Sequence, residues 1–436
     1  MKAFLNSLAI AFVALLFTAS CGTKTPDSGE LVFDFNAATT GQEQLVPDSL
    51  QLYIDYTSVF DMKAKIKFYW EIMRPIIKNK TKVAYAIKGQ EIGREEGNVE
   101  DILKNATNIP NADIKGAIDR IVESNKEAML VTDAEMIDPV EPYMKEAFKK
   151  WILKGHDIFI LSEPYVEKAA KISAKKMLFF IIFYDANMDR NICEYVRKHA
   201  GLNHYPKINK LNISLKPNVI GMHGGHSAPN EHTQALVTRK GNVEYQEWNN
   251  GWEDQIVKFV VNANDMSGKE IEKGLPIIDA LKIDRNSIAG FVINGIKMKV
   301  ENINDRYAEF YEARKKGETV QDDNWDFDEM EDFIILNQEL FNKNANIQLF
   351  FDKKNFNLDC LDGDPYNYFK IDFYISYMKE DIEKFRPMLE FDDILKADCK
   401  NISVFESFKQ TIEDPEITNY IANTPFYTIY VKAQKK

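Results

Sequence analysis

An acid that ends an apolar run and is followed by hydroxyls, as Asp55 is, could hold a metal, hold a phosphate or only turn a corner. Asp55 closes the apolar run "LQLYIDYT", and Thr57 follows two residues on. Thr107 lies in "NATNIPNADIKGAID", and Asp133 ends "EAMLVTD". Carboxylates and hydroxyls are hard oxygen donors which, with water completing the shell, suit Mg²⁺ or Ca²⁺. An acid at the end of a strand can equally cap the helix that follows, so a purely local role competes with ligation. Val59, two residues beyond Thr57, offers no oxygen. Any cation held here is therefore expected to be weak and exchangeable, and Asp55→Ala is expected to change stability little.

The elements that must position these residues are legible in the apolar periodicity. From Leu50 to His199, runs of strand length ("LQLYIDYT", "KVAYAIKG", "EAMLVTD", "DIFILSE", "MLFFIIFYD") alternate with stretches of helical spacing. The helical ones are "MKAKIKFYWEIMRPIIKN", "ADIKGAIDRIVES", "PYMKEAFKKWILKGH", "VEKAAKISAK" and "NICEYVRKHAG". Such alternation predicts an α/β fold with a doubly wound, mostly parallel sheet, whose ligands bind at the carboxyl ends of the strands. After about Asn203 the grammar changes to strands separated by turn residues, from "NISLKPNVIGMH" to "PFYTIYVKA", with helical pieces at 328–341 and 403–413. This second half reads as a β-rich or α+β domain, giving an organisation of 49–203 and 204–436.

The order of strand with Asp55, long helix, strand, Thr107 loop, helix and strand with Thr132-Asp133 resembles the von Willebrand factor A-like domain over roughly residues 48–200. In that family an Asp-x-Ser-x-Ser loop, a threonine from a second loop and an aspartate from a later strand hold a metal. The resemblance implies a metal set of Asp55, Thr57, Thr107 and Asp133, and recognition of macromolecules at the metal edge. With Thr57 and Val59 at the two serine positions, it implies a degenerate site. "DYTSV" also resembles the Asp-x-Asp loop of haloacid dehalogenase-like phosphatases, but Thr57 stands where that family needs its acid/base carboxylate.

Other segments also carry side chains suited to chemistry. "YDANMDRN" places Asp185, Asn187, Asp189 and Asn191 at alternating positions like the start of a calcium loop, but Arg190 and Val196 occupy its glycine and glutamate positions. A strand-to-helix turn is the expectation there. "QDDNWDFDEMED", 321–332, reads as a solvated acidic loop entering a helix. His223, His226 and His232 could bind zinc, but Gly224, Gly225 and Pro229 forbid a helix that would align them. Trp248 and Trp252 in "EWNNGWED" are the best candidates for an exposed binding surface, since Asn and Gly keep the stretch in a loop.

The chain opens with Lys2, an apolar run to Phe17, and "TASC". This is the pattern of a secretory signal peptide over 1–20, too short for a membrane span. The register of Cys21 resembles the lipobox of bacterial lipoproteins, which implies lipidation of Cys21 and a flexible tether over 21–48. The other cysteines, Cys193, Cys360 and Cys399, are widely spaced and form no zinc pattern; a Cys360–Cys399 disulfide is the conceivable pairing. A net charge of −12 predicts repulsion of nucleic acid and of anionic lipid head groups. The reading overall is a cell-envelope protein, anchored to the outer membrane by lipid, which binds a protein or glycan. An envelope hydrolase using the Asp55/Asp133 edge or the His223 loop is the alternative. A purely structural partner of another envelope protein is a third, and it predicts an exposed apolar patch on the β half.

Overall fold

The computed structural model describes residues 45–56, 68–99, 102, 112–134, 144–169, 172–188, 190–221, 243–247, 256–261, 276–302, 316, 328–329, 334–351, 366–390 and 404–435. The first half supplies strands β1 (Val46–Asp55), β2 (Val83–Lys88), β3 (Glu91–Glu95), β4 (Lys126–Thr132), β5 (Asp157–Ala169), β6 (Ile172–Tyr184) and β7 (Asn209–Ile213). They form one seven-stranded sheet in the order β3-β2-β1-β4-β6-β5-β7. Helices α1 (Arg74–Lys80), α2 (Ile114–Ser124), α3 (Lys145–Leu153) and α4 (Ile192–His199) pack against it.

The α/β character is plain, but the sheet is mixed. β1 runs parallel to both β2 and β4, whereas β2–β3, β4–β6, β6–β5 and β5–β7 pair antiparallel. The cause is local. "VEKAAKISAK", whose spacing predicts a helix, instead extends β5 and begins β6, with Ala169 paired to Ile172. A connection this short makes a hairpin, because a parallel crossover needs a dozen or more residues. β3 likewise folds straight back on β2, with Lys88 paired to Glu91.

Burial alternates along the strands and assigns their two faces. Tyr53, Leu130, Ile158, Ile160 and Phe183 point into a core shared with α2 and α3, including the wholly buried Phe148 and Trp151. Leu52, Ile54, Val131, Phe159 and Leu161 point the other way, against Ile76 and Ile77 of α1 and Val196 of α4. Local signals place the helices. The Asp113 carboxylate caps α2 by accepting from the Gly116 amide at 2.9 Å. Asn125, at φ 50°, ends α2 in the left-handed region, and β4 starts at the next residue.

The second half is β-rich, as expected. A six-stranded sheet runs β13-β12-β16-β17-β10-β9, and a four-stranded one β14-β15-β11-β8. Their strands are β8 (Asn218–Gly221), β9 (Val243–Glu247), β10 (Ile256–Val261), β11 (Pro276–Asp284), β12 (Phe291–Asn302), β13 (Asp328–Glu329), β14 (Ile334–Leu336), β15 (Asn346–Phe351), β16 (Tyr366–Glu380) and β17 (Tyr427–Lys435). Helices α5 (Gln338–Asn344), α6 (Arg386–Leu389), α7 (Val404–Ile412) and α8 (Pro415–Asn423) complete it. The helix expected over 328–341 begins only at Gln338, after two short strands; Asn337 caps it by accepting from the Leu340 amide.

The two halves share one core. β7 carries the first sheet past the expected boundary at 203. Phe405, Phe408, Ile412 and Ile417 of α7 and α8 bury in the same cluster as Phe148 and Trp151. Polar contacts pin the seam. Asp414 Oδ2 lies 3.2 Å from Lys145 Nζ and 3.3 Å from Lys149 Nζ, and the Thr411 hydroxyl donates to the Lys145 carbonyl at 3.2 Å. The Ser162 hydroxyl donates to the Met388 carbonyl at 2.6 Å. No helix among the described residues is long and apolar enough to cross a membrane.

Candidate functional site: two edges of the first sheet

The carboxyl edge carries the acids singled out by the sequence. Because β1 and β4 are parallel neighbours with Ile54 opposite Val131, Asp55 and Thr132 end their strands side by side. Asp55 is 0 % and Asp133 4 % exposed. The Thr132 hydroxyl donates to Asp55 Oδ2 at 2.7 Å and accepts from the Ala134 amide at 2.9 Å. Ala134 sits at φ 58°, a conformation costly for a residue with a Cβ, and this relay of amide, hydroxyl and carboxylate holds the chain in it as it leaves β4. Asp55 is thus built into the fold. Beside it, Tyr56 is buried under Lys88, whose ammonium lies 5.0 Å from the ring centroid. Burial, and then the Glu95 carboxylate, lift the Tyr56 phenol to about 12.

Asp55 and Asp133 supply two carboxylates, whereas a hard cation takes six or more oxygens. The Thr132 hydroxyl is directed inward, and Val59 brings none. Thr57 and Thr107 lie outside the described residues. Among the described residues no group of three His, Cys, Asp or Glu side chains is arranged for a metal ion.

Glu163 on β5 is an acid the sequence reading passed over. Opposite Leu178, it stands one position beyond the Phe179 level that also pairs with Thr132. Burial pushes its carboxyl up to about 7, against the opposing pull of Lys207. Its Oε2 is buried without a hydrogen-bond partner.

The opposite edge gathers a second polar cluster, of which the sequence showed only the turn at "YDANMDRN". His156 is wholly buried beneath the Trp151 indole, ring centroids 4.8 Å apart, with Nδ1 3.6 Å from Asp185 Oδ2. Asp157 Oδ2 accepts from the Ala186 amide at 3.2 Å. Burial raises Asp157 to about 6, although bonds from Ser214 and Ala186 draw it down. Burial also pushes Asp185 upward, but His156 and the Asn187 amide outweigh it and leave the carboxyl below its ordinary range. Glu127 Oε1 accepts from the Ile192 amide at 2.8 Å, anchoring the start of α4.

"YDANMDRN" is a strand-to-helix turn, as expected. Asp185 Oδ1 accepts from the Asn187 amide at 2.8 Å, and Asn191 caps α4 by accepting from the Glu194 amide at 2.9 Å. Cys193 is a buried free thiol. Cys21, the tether up to residue 44, Asp189, His223, His226, His232, Trp248, Trp252, Cys360, Cys399 and the acidic residues 321–327 lie outside the described residues. A cleft of about 320 Å³ opens beside β3, lined by Lys82, Arg94, Glu95, Glu96 and Val99 among others. Its two bases and two acids balance, and neither Asp55 nor Asp157 lines it.

The sequence matches no protein-family model, and it matches no curated protein.

Proposed function

We propose that this chain is a lipid-anchored cell-envelope protein that binds a macromolecule, protein or glycan, at the carboxyl edge of its first sheet. The observation that carries the reading is the pairing of Asp55 with Thr132 beside Asp133, at the ends of two adjacent parallel strands. That is where the von Willebrand A-like resemblance requires the acids to meet. Binding is favoured over catalysis because Asp55 has no exposed surface and gives one oxygen to Thr132, so it is spent on shaping the edge. Any Mg²⁺ or Ca²⁺ there is held weakly. The competing reading, an envelope hydrolase, finds its best support in Glu163, whose carboxyl is pushed up to about 7 by burial at the same edge.

The test is site-specific photo-crosslinking in cells that make the full chain. A crosslinking residue at the exposed Gln90, in the turn between β2 and β3 on the carboxyl edge, should capture a discrete partner. The same residue at the exposed Glu123, near the end of α2 on the opposite edge, should not. Equal capture from both positions, or from neither, would sink the edge assignment.

A further inference from the structure

The net charge of −12 conceals a basic face. Residues 74–82 hold four Lys or Arg and no acid, and residues 190–216 hold six and one acid, Glu194. The fold brings both segments to one side of the first sheet. Ile76, Ile77 and Val196 bury in the same core as Leu52 and Ile54, so α1 and α4 cover that face together. On β7, Leu211 and Ile213 point into the opposite core, which turns Lys210 and Asn212 toward α4. Lys78, Arg197, Lys198, Lys207 and Lys210 are exposed.

Ring contacts fix the arrangement. Lys80 Nζ lies 4.1 Å over the Tyr195 ring, which stacks on His199 at 4.0 Å, so the end of α1 is fastened to α4. Arg197 lies 4.7 Å over Phe159, and its Nη2 donates to Asn212 Oδ1 at 3.2 Å. The exposed acids of the two helices are Glu71, just before α1, and Glu194. The point where the chain enters the sheet is close by. Val46 pairs with Lys126, and the neighbouring Glu127 holds the first amide of α4.

We propose that this α1/α4 face lies against the anionic lipid head groups of the membrane that holds the Cys21 anchor. The inference rests on the anchored reading above. The bases are spread over two helices and a strand instead of being focused into a pocket, which suits an extended charged plane better than a compact ligand. Their aliphatic stems let the ammonium groups reach outward. A tether entering beside the start of α4 allows the face to settle on the bilayer without reorienting the sheet. The expectation of repulsion from anionic lipid therefore holds for the chain as a whole and fails for this face.

The test uses the chain from residue 21 to its end carrying Cys21→Ser, so that neither the apolar signal segment nor an acyl chain contributes. It compares vesicles of phosphatidylcholine alone with an equal mixture of phosphatidylcholine and phosphatidylglycerol. Binding is expected to the mixed vesicles only, and to fade as salt is raised. Each base removed should weaken binding about fivefold, so Lys78→Gln/Lys198→Gln/Lys210→Gln should weaken it on the order of a hundredfold. All three side chains are exposed, and circular dichroism should show the variant folded. Equal binding to neutral vesicles, or an unchanged triple variant, would overturn the proposal. So would salt-sensitive self-association in sedimentation without vesicle binding, which would make a second copy the occupant. Loss of membrane anchoring in cells on Cys21→Ser is read separately by fractionation, so failure of the anchor and failure of the basic face give different results.

Discussion

The bond between Thr132 and Asp55 decides whether the carboxyl edge is structural or available, and a double-mutant cycle measures it. Both side chains are wholly buried, and the hydroxyl donates to the carboxylate at 2.7 Å. A hydrogen bond to a charged group contributes about 1.5–3 kcal/mol. Thr132→Val keeps the shape but removes both the donor to Asp55 and the acceptor for the Ala134 amide, so a loss of about 2–4 kcal/mol is expected. Asp55→Ala should cost a similar ~2–4 kcal/mol, since it strips the bond and leaves a small void. The double variant should fall short of the sum by about 1.5–3 kcal/mol, because the shared bond is counted once. Urea unfolding, read as the shift in midpoint at constant slope, supplies all three values. Additive losses within about 0.5 kcal/mol would refute the coupling. A silent Asp55→Ala would restore the expectation, drawn from sequence alone, that this acid matters little to the fold.

Two further outcomes follow from the same geometry. Asp157 is raised from 3.8 to about 6, so the stability it lends is complete below pH 3.8 and is lost as pH climbs through 6. The loss is about 3 kcal/mol at most, so Asp157→Asn should gain on the wild type by up to that amount between about pH 4 and 7; a pH-independent difference in urea midpoints would count against it. A fragment of residues 45–203 lacks β7 and the cover of α7 and α8, so it should aggregate or bind a hydrophobic dye, whereas the full chain should not. A soluble, cooperatively unfolding fragment would show that the first half closes its own core.

What the sequence disclosed, and what it hid, divides by the range of the forces involved. Apolar periodicity located β1, β4, α2, α3 and α4, because each is set by its own burial pattern and caps. It also placed Asp55 and Thr132-Asp133 at one edge, since parallel neighbours end together. It failed at residues 166–175, where helical spacing of Val, Ala and Ile was overridden by pairing in the β5–β6 hairpin. The residues that make the second polar cluster were invisible for a related reason. Nothing local marks His156 as lying under Trp151 or Asp157 as held by the Ala186 amide. Summed charge hid a feature as well, because it averages away the cluster of bases on α1 and α4.

The seam at Asp414 has a consequence for when this protein can fold. The contact of Lys149 with Asp414 joins residues 265 apart, so one face of the first sheet is covered only by the far end of the chain. Strand β7 ends at Ile213 and α7 begins at Val404. At ribosomal speed the intervening stretch takes about 10–40 s to make, during which the α3 side of the sheet lacks its cover. Contacts this distant also slow folding after release, since the loop must close before burial can reward it. Under the proposed envelope location, for which the chain must thread a translocation pore unfolded, such a delay is an advantage. By the same logic, a stop codon just before Val404 would cripple a sheet completed long before the ribosome reached it.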